Sequence, residues 1–171
     1  MALTQQLARV STEYLDGCRR AATAAPDGDP GFDPPPGDAL DLGWAAWELA
    51  HYLRWAEDGS ELLRTLERGL GGDGVAEVAF LDHAEVHDGF GGPPALLAPS
   101  AVAELSARLG AVDPEAMLAR FPADPVLAEE VCGFGGFDGD RRASLADCFA
   151  ALRDFYRGAA LRGLAVVVWV D

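Results

Sequence analysis

The chain has 171 residues, half of them hydrophobic and 24% charged, which allows one packed core and excludes a disordered chain. Its formal net charge of −15 excludes a nucleic-acid footprint, because phosphate backbones are repelled and the one Arg doublet beside a loop, Arg141-Arg142, is too small to override that field. An acidic surface suits solubility or a basic protein partner.

In chain order, Leu7-Ala8-Arg9-Val10 reads as a short strand and Ser11 as the N-cap of a helix from Thr12 to Ala25, with Tyr14, Leu15 and Cys18 turned inward. Residues 26–38 hold five prolines and four aspartates and read as a loop, a candidate lid or a solvated linker. From Asp41 to Trp55 the spacing predicts a helix with two stripes. Leu42, Ala45, Leu49, Leu53 and Ala56 make an aliphatic face; Trp44, Trp47, Glu48, His51 and Trp55 make the opposite one. A helix apolar on both sides is normally buried between layers, so this Trp-rich helix is expected at the centre of the fold.

Ser60 caps a helix through Arg68 with Leu62, Leu63 and Leu66 inward, and Gly69 to Gly74 breaks the chain. Val75 to Leu81 reads as a strand; continued, it sets Val78, Phe80, Ala84 and Val86 on one face and Glu77, His83, Glu85 and His87 on the other. After a Gly/Pro loop at 88–94, Pro99 opens a helix carrying Val102, Leu105 and Leu109, and Asp113-Pro114 and Asp124-Pro125 each read as an N-cap followed by a first-position proline. Gly133 to Asp140 is a further loop. Ser144 with Asp147 resembles a capping box ahead of a long helix with Leu145, Cys148, Phe149, Leu152, Phe155, Tyr156 and Ala159 at helical spacing. Gly163 stops it, and Leu164 to Val170 reads as a strand buried on both faces. The expected class is α+β: a helix-rich single domain spanning 1–171, with a small mixed sheet, a central Trp-rich helix and a long C-terminal helix followed by a buried strand.

Several of these landmarks, in this order, resemble the uncharacterised DUF1877 (YfbM-like) family. They are Asp41-Leu42 leading into Trp47 and His51, Gly71-Gly72, Gly92-Pro93 followed by Pro99-x-x-Val102, and Leu152-Arg153-Asp154-Phe155-Tyr156-Arg157-x-Ala159 before the last strand. The resemblance runs over nearly the whole chain and implies a compact α+β fold in a bacterial cytosolic protein, with no established chemistry. Several polar positions of the family pattern are changed: Ala45 and Glu48 flank the tryptophan where a Lys and a His are typical, Ala95 stands where an Arg is expected, and Val131-Cys132 replaces an aromatic-Pro pair.

Two groups of residues bear chemistry. Glu48 and His51 share a helical face with Trp44, Trp47 and Trp55, a carboxylate beside an imidazole among rings able to stack on a flat or cationic ligand; a paired core histidine is the competing reading. His83, Glu85 and His87 point one way in a strand, and the two imidazoles also meet at i and i+4 in a helix, a donor set for zinc or iron. No other cofactor is expected. Cys18, Cys132 and Cys148 are widely spaced and read as reduced, partly buried thiols. Gly133-Phe134-Gly135-Gly136 follows a helix, so it is not a dinucleotide loop but a flexible connection. No run is long enough to span a bilayer and the stretch Met1 to Gln6 has no basic region and no long apolar run, so a cytoplasmic protein is expected, a monomer or small homo-oligomer. The first expectation for function is a non-enzymatic binding or interaction protein; the alternative is a small-molecule or metal-assisted hydrolytic site built on His51, Glu48 and the 83–87 segment.

Overall fold

The computed structural model describes residues 4–171. Four strands form one sheet in the order β2-β1-β4-β3: β1 is Gln5–Val10, β2 Ala39–Asp41, β3 Ala95–Leu97 and β4 Ala165–Val170. Every pairing is antiparallel, so the expected mixed sheet is corrected to an antiparallel one; Leu7 faces Val168 across β1–β4, and Leu97 faces Val166 across β3–β4. β4 lies between β1 and β3, the interior position that its unbroken apolar run requires.

Alternation along β1 and β4 splits the core. Leu7, Leu97, Val166 and Val168 face a helical layer, whereas Ala8, Val10, Ala165 and Val167 face the other side. The helical layer contains α2 (Ala45–Glu57), α3 (Glu61–Gly71), α4 (Pro99–Gly110) and α7 (Arg141–Leu161), with the short α5 (Pro114–Met117) and α6 (Pro125–Cys132) at its edge. The opposite face is covered by α1 (Thr12–Ala24), through Leu15 and Cys18, and by a 3-10 turn at Ala76–Leu81, through Val78 and Leu81. The class is α+β, as expected.

The expected strand over Val75–Leu81 is this 3-10 turn, broken at Val78, where φ is −121° and ψ 22°. Its apolar residues satisfy one side of a sheet that already has its strands, so tertiary packing overrides the β-rich pattern. The proposed alternation through His83, Glu85 and His87 therefore does not form. Strands β2 and β3 come from stretches where no strand was expected.

α7 is the spine of the helical layer and packs along α4 and α2. Asp140, not Ser144, caps it: the Asp140 carboxylate accepts the Ala143 N–H at 3.0 Å, so the helix starts one turn earlier than the capping-box reading placed it. At the other end Leu164 N–H donates to Ala159 O at 2.9 Å and Gly163 N–H to Ala160 O at 3.1 Å, with Gly163 at φ +64°. This is the paired-bond stop that a glycine after the helix permits. α3 and α7 touch at Gly69, whose carbonyl accepts the Tyr156 hydroxyl at 2.6 Å. A Cβ at Gly69 would stand 3.5 Å from the Tyr156 ring.

The 26–38 segment is fastened rather than free. Phe32 packs edge-on to Tyr14 and Trp169, on the sheet face away from the helical layer. Asp38 bonds Arg9 Nε at 2.7 Å and also pairs with Arg162. These contacts tie the segment to the far face and the sheet edge, away from the Trp47/His51 surface a lid would have to cover.

Hydrogen bonds from Arg162 and Arg9 hold the Asp38 carboxyl down to about 2. The folded pKa lies below the ordinary unfolded value near 4, so the stabilisation is present above that value and is lost as pH falls through about 2. Asp38→Asn is expected to flatten the acid limb of stability, read as a smaller drop in urea midpoint between about pH 5 and pH 2 than the parent protein shows.

Candidate ligand cleft

α2 is built from Ala, Leu and other residues without β-branching, which favours a helix. It begins at Ala45 rather than Asp41: the Asp41 carboxylate accepts the Gly43 N–H at 2.7 Å, and Gly43 turns with φ +52°. The helix packs on α7, α6 and α3, burying Ala46, Leu49, Ala50, Tyr52, Leu53 and Ala56. The expected two-sided sandwich is corrected here. Trp44 and Trp55 are 40% and 44% exposed, and His51 is exposed as well, so one edge of α2 opens to solvent. The indole-rich face is too wide for the neighbouring helices to cover.

Over this edge lies the loop that joins α6 to α7. Gly133 takes φ +76° and sits directly on the imidazole of His51, where a Cβ would come within 2.7 Å of Cδ2. Phe134 then turns edge-on to Trp44, with ring centroids 5.3 Å apart. Phe137 lies under the Arg141 guanidinium at 5.2 Å. The glycines expected to make a slack connection instead let the loop approach the helix closely.

Two clefts flank Phe134. The first, about 380 Å³, is lined by Gln5, Trp47, Ala50, His51, Arg54, Glu67, Leu70, Gly71 and Phe134. The second, about 320 Å³, is lined by Trp44, Glu48, Phe134, Gly135, Gly136 and Phe137. The five residues expected to form one ligand face are thus divided. Trp47 and His51 line the first cleft and Trp44 and Glu48 the second. Trp55 lines neither, packing instead against Tyr52 and under Arg120.

The expected Glu48–His51 pair does not form. His51 Nδ1 lies 3.1 Å from the carbonyl of Val131 and must donate to it, which leaves Nε2 as the ring's acceptor. Glu48, only 5% exposed, pairs with Arg141, itself 8% exposed. Arg141, one of the Arg doublet beside the loop, opens α7 and is drawn inward by the Glu48 carboxylate. Burial pushes the Glu48 carboxyl up and the Arg141 charge opposes that rise. Cys132 and Cys148 lie near the same carboxylate and are buried free thiols; burial first, then Glu48, raises them to about 11 and about 12. Neither thiol forms a ready thiolate at neutral pH.

In the first cleft, Gln5 is 4% exposed, and its amide nitrogen donates to Leu70 O at 3.1 Å and Trp169 O at 3.0 Å. That fixes the amide and leaves Oε1 as an acceptor without a donor among the described residues. Trp47 Nε1 is buried with no acceptor. Arg54 and Glu67 bond at 2.9 Å at the rim. Gln5 and Phe134 were not foreseen as site residues: one sits in a strand start and the other in a loop, and only the fold brings them to α2.

The expected metal set is not assembled. His87 is buried; its Nδ1 accepts the Gly89 N–H at 3.0 Å, so Nε2 donates to Asp82 at 3.1 Å. His83 Nδ1 accepts the Glu85 N–H at 3.2 Å and its Nε2 meets Asp27 O at 3.3 Å. All four ring nitrogens are engaged, Glu85 is exposed, and neither His83 nor His87 lines the cleft that holds His51. Among the described residues no group of three or more His, Cys, Asp or Glu is placed to hold a metal ion.

Fold and site together define a helix-rich α+β protein with a layered antiparallel sheet and an aromatic groove along one helix edge. Among solved structures, the crystal structure of YfbM from Escherichia coli, a protein of unknown function, is similar to this chain with a TM-score of 0.62 at 18% identity, covering 98% of this chain and 99% of that one. At that identity the likeness shows a shared, YfbM-like fold. No family model matches the sequence, and no curated protein matches it. Among the described residues no helix is long and apolar enough to cross a membrane.

Proposed function

We propose that this chain is a non-catalytic binding protein of the DUF1877 (YfbM-like) family, at work in the bacterial cytoplasm, that takes a small, flat, polar organic molecule into the cleft between Trp47, His51 and Phe134. The order of its sequence landmarks supports the family assignment, and the full-length likeness to YfbM agrees with it. One observation carries the binding reading: Trp47 lines the cleft, yet its indole N–H is buried without an acceptor. Buried donors are normally paired; the Trp47 N–H, like that of Trp169, has no acceptor and is shielded from solvent, but only Trp47 stands in a cleft wall, where a small turn of the ring would bring the donor to a ligand acceptor. Gln5 Oε1 supplies the complementary acceptor, and the Trp47 and Phe134 rings offer faces for stacking.

Catalysis is not part of this reading. Among the described residues no Ser, Thr or Cys lines the cleft, Glu48 is committed to Arg141 on the other side of Phe134, and Glu67, the cleft's own carboxylate, is paired with Arg54.

The test is a set of planar heteroaromatic fragments bearing one donor and one acceptor, followed by thermal shift and Trp fluorescence. Fragments that bind the parent protein are expected to bind Trp47→Phe about fivefold more weakly, the weight of one hydrogen bond. Binding that is indifferent to Trp47→Phe, or no binding by any such fragment, contradicts the proposal.

A further inference from the structure

The second cleft has a lining of a different kind. Three aromatic rings, Trp44, Phe134 and Phe137, surround it, with Gly135 and Gly136 leaving the backbone open and Glu48 also in its wall. Among the described residues no basic side chain lines it. Arg141, which pairs with Glu48, lines the neighbouring cleft beyond Phe137. Glu48 is 95% buried by its 5% exposure, and Arg141 engages Oε1, while Oε2 has no donor among the described residues. A second carboxylate, Glu129, stands against Gly135 from the neighbouring cleft beyond Phe137, and Asp138 and Asp140 are exposed on the same loop.

Aromatic faces carry negative potential and attract cations, most strongly where water is excluded. A hard metal ion gains little from rings and needs several oxygens. A strongly hydrated primary ammonium loses more water on entry than a methylated one, whose methyl groups also pack on the rings. The net charge of −15 enriches cations near the surface. We infer that the Trp44–Phe134–Phe137 cleft is a binding site for an organic monocation with a methylated ammonium head, held by the rings of Trp44, Phe134 and Phe137, the last already covered on one face by Arg141, and by the free oxygen of Glu48. This site shares only Phe134 with the cleft of the proposed function and does not depend on that reading.

The experiment is calorimetric and fluorescence titration of the full chain with choline, and with 3,3-dimethylbutan-1-ol, the neutral molecule of the same shape. Choline is expected to bind at least about tenfold more tightly than the alcohol and to change Trp emission. Trp44→Ala and Phe137→Leu, both at exposed side chains, are each expected to weaken choline by about tenfold, with the fold checked by circular dichroism. Trp47→Phe, in the other cleft, is expected to leave choline affinity unchanged. Equal binding of choline and the alcohol would reduce the cleft to an apolar one and overturn the inference. So would choline binding that survives Trp44→Ala, or the absence of binding at millimolar choline. A loss of choline affinity in Trp47→Phe alone would place the cation in the first cleft and also overturn it.

Discussion

Replacing Glu48 by Leu is expected to destabilise the protein by about 3–5 kcal/mol, because it leaves the buried Arg141 guanidinium without its counter-charge. Arg141 is 8% exposed and cannot shed its proton, so the folded state must carry an unpaired cation beside Phe137. It also opens α7, where the helix dipole disfavours positive charge, so Glu48 offsets two costs at once. Arg141→Met is expected to cost less, since the stranded carboxyl can take a proton. Burial already raises the Glu48 pKa, and without Arg141 nothing opposes that rise. The raised group's stability contribution is then complete below the unfolded carboxylate value and is lost as pH rises through the folded one. The Arg141→Met defect should therefore deepen as pH rises. The double variant should recover most of the loss, as buried pairs replaced by apolar groups of similar volume often do. Urea unfolding of the three variants at two pH values reads all of this.

The second large effect is expected at Gly133. Ala there meets two penalties: a left-handed backbone at φ +76°, costing about 1–3 kcal/mol, and a Cβ only 2.7 Å from the His51 ring. The ring must turn, which breaks its bond to Val131 O and moves one wall of the first cleft. Fragment binding should fall together with stability. Gly136 has φ +80° but nothing within 4 Å of an added Cβ, so Gly136→Ala should pay only the backbone cost. The difference in urea midpoint between the two variants isolates the His51 contact.

The contrast between what the chain displayed and what the fold built lies in the range of each signal. Local signals held: Ser11 accepts from Tyr14 N, Ser60 from Leu63 N, and Asp113 and Asp124 cap helices that begin with proline. The apolar run of β4 was readable as an interior strand for the same reason. Strands β2 and β3 span three residues each, too few for a period to show. The β-rich stretch at 75–81 misled because its apolar residues fill one sheet face from a 3-10 turn.

At the site, periodicity places Trp44, Trp47, Glu48, His51 and Trp55 on one side of α2; Trp44, His51 and Trp55 reach solvent along that edge, Trp47 is half-buried and Glu48 is buried. Their division into two clefts could not be read, because Phe134 and Phe137 arrive from a loop more than eighty residues away. The same distance hid Arg141, 93 residues from Glu48 in sequence. A charged residue on an aromatic helix face was visible, but the identity of its partner is a property of the tertiary fold.

The most direct test follows the indole N–H signals of the four tryptophans during titration with a planar fragment that binds. Trp47 should move first and furthest, with Trp55 and Trp169 unchanged, because only Trp47 lines the His51 cleft. A fragment that binds while the Trp47 signal stays still, or that moves Trp55 or Trp169 instead, would contradict the assignment of this cleft as the ligand site.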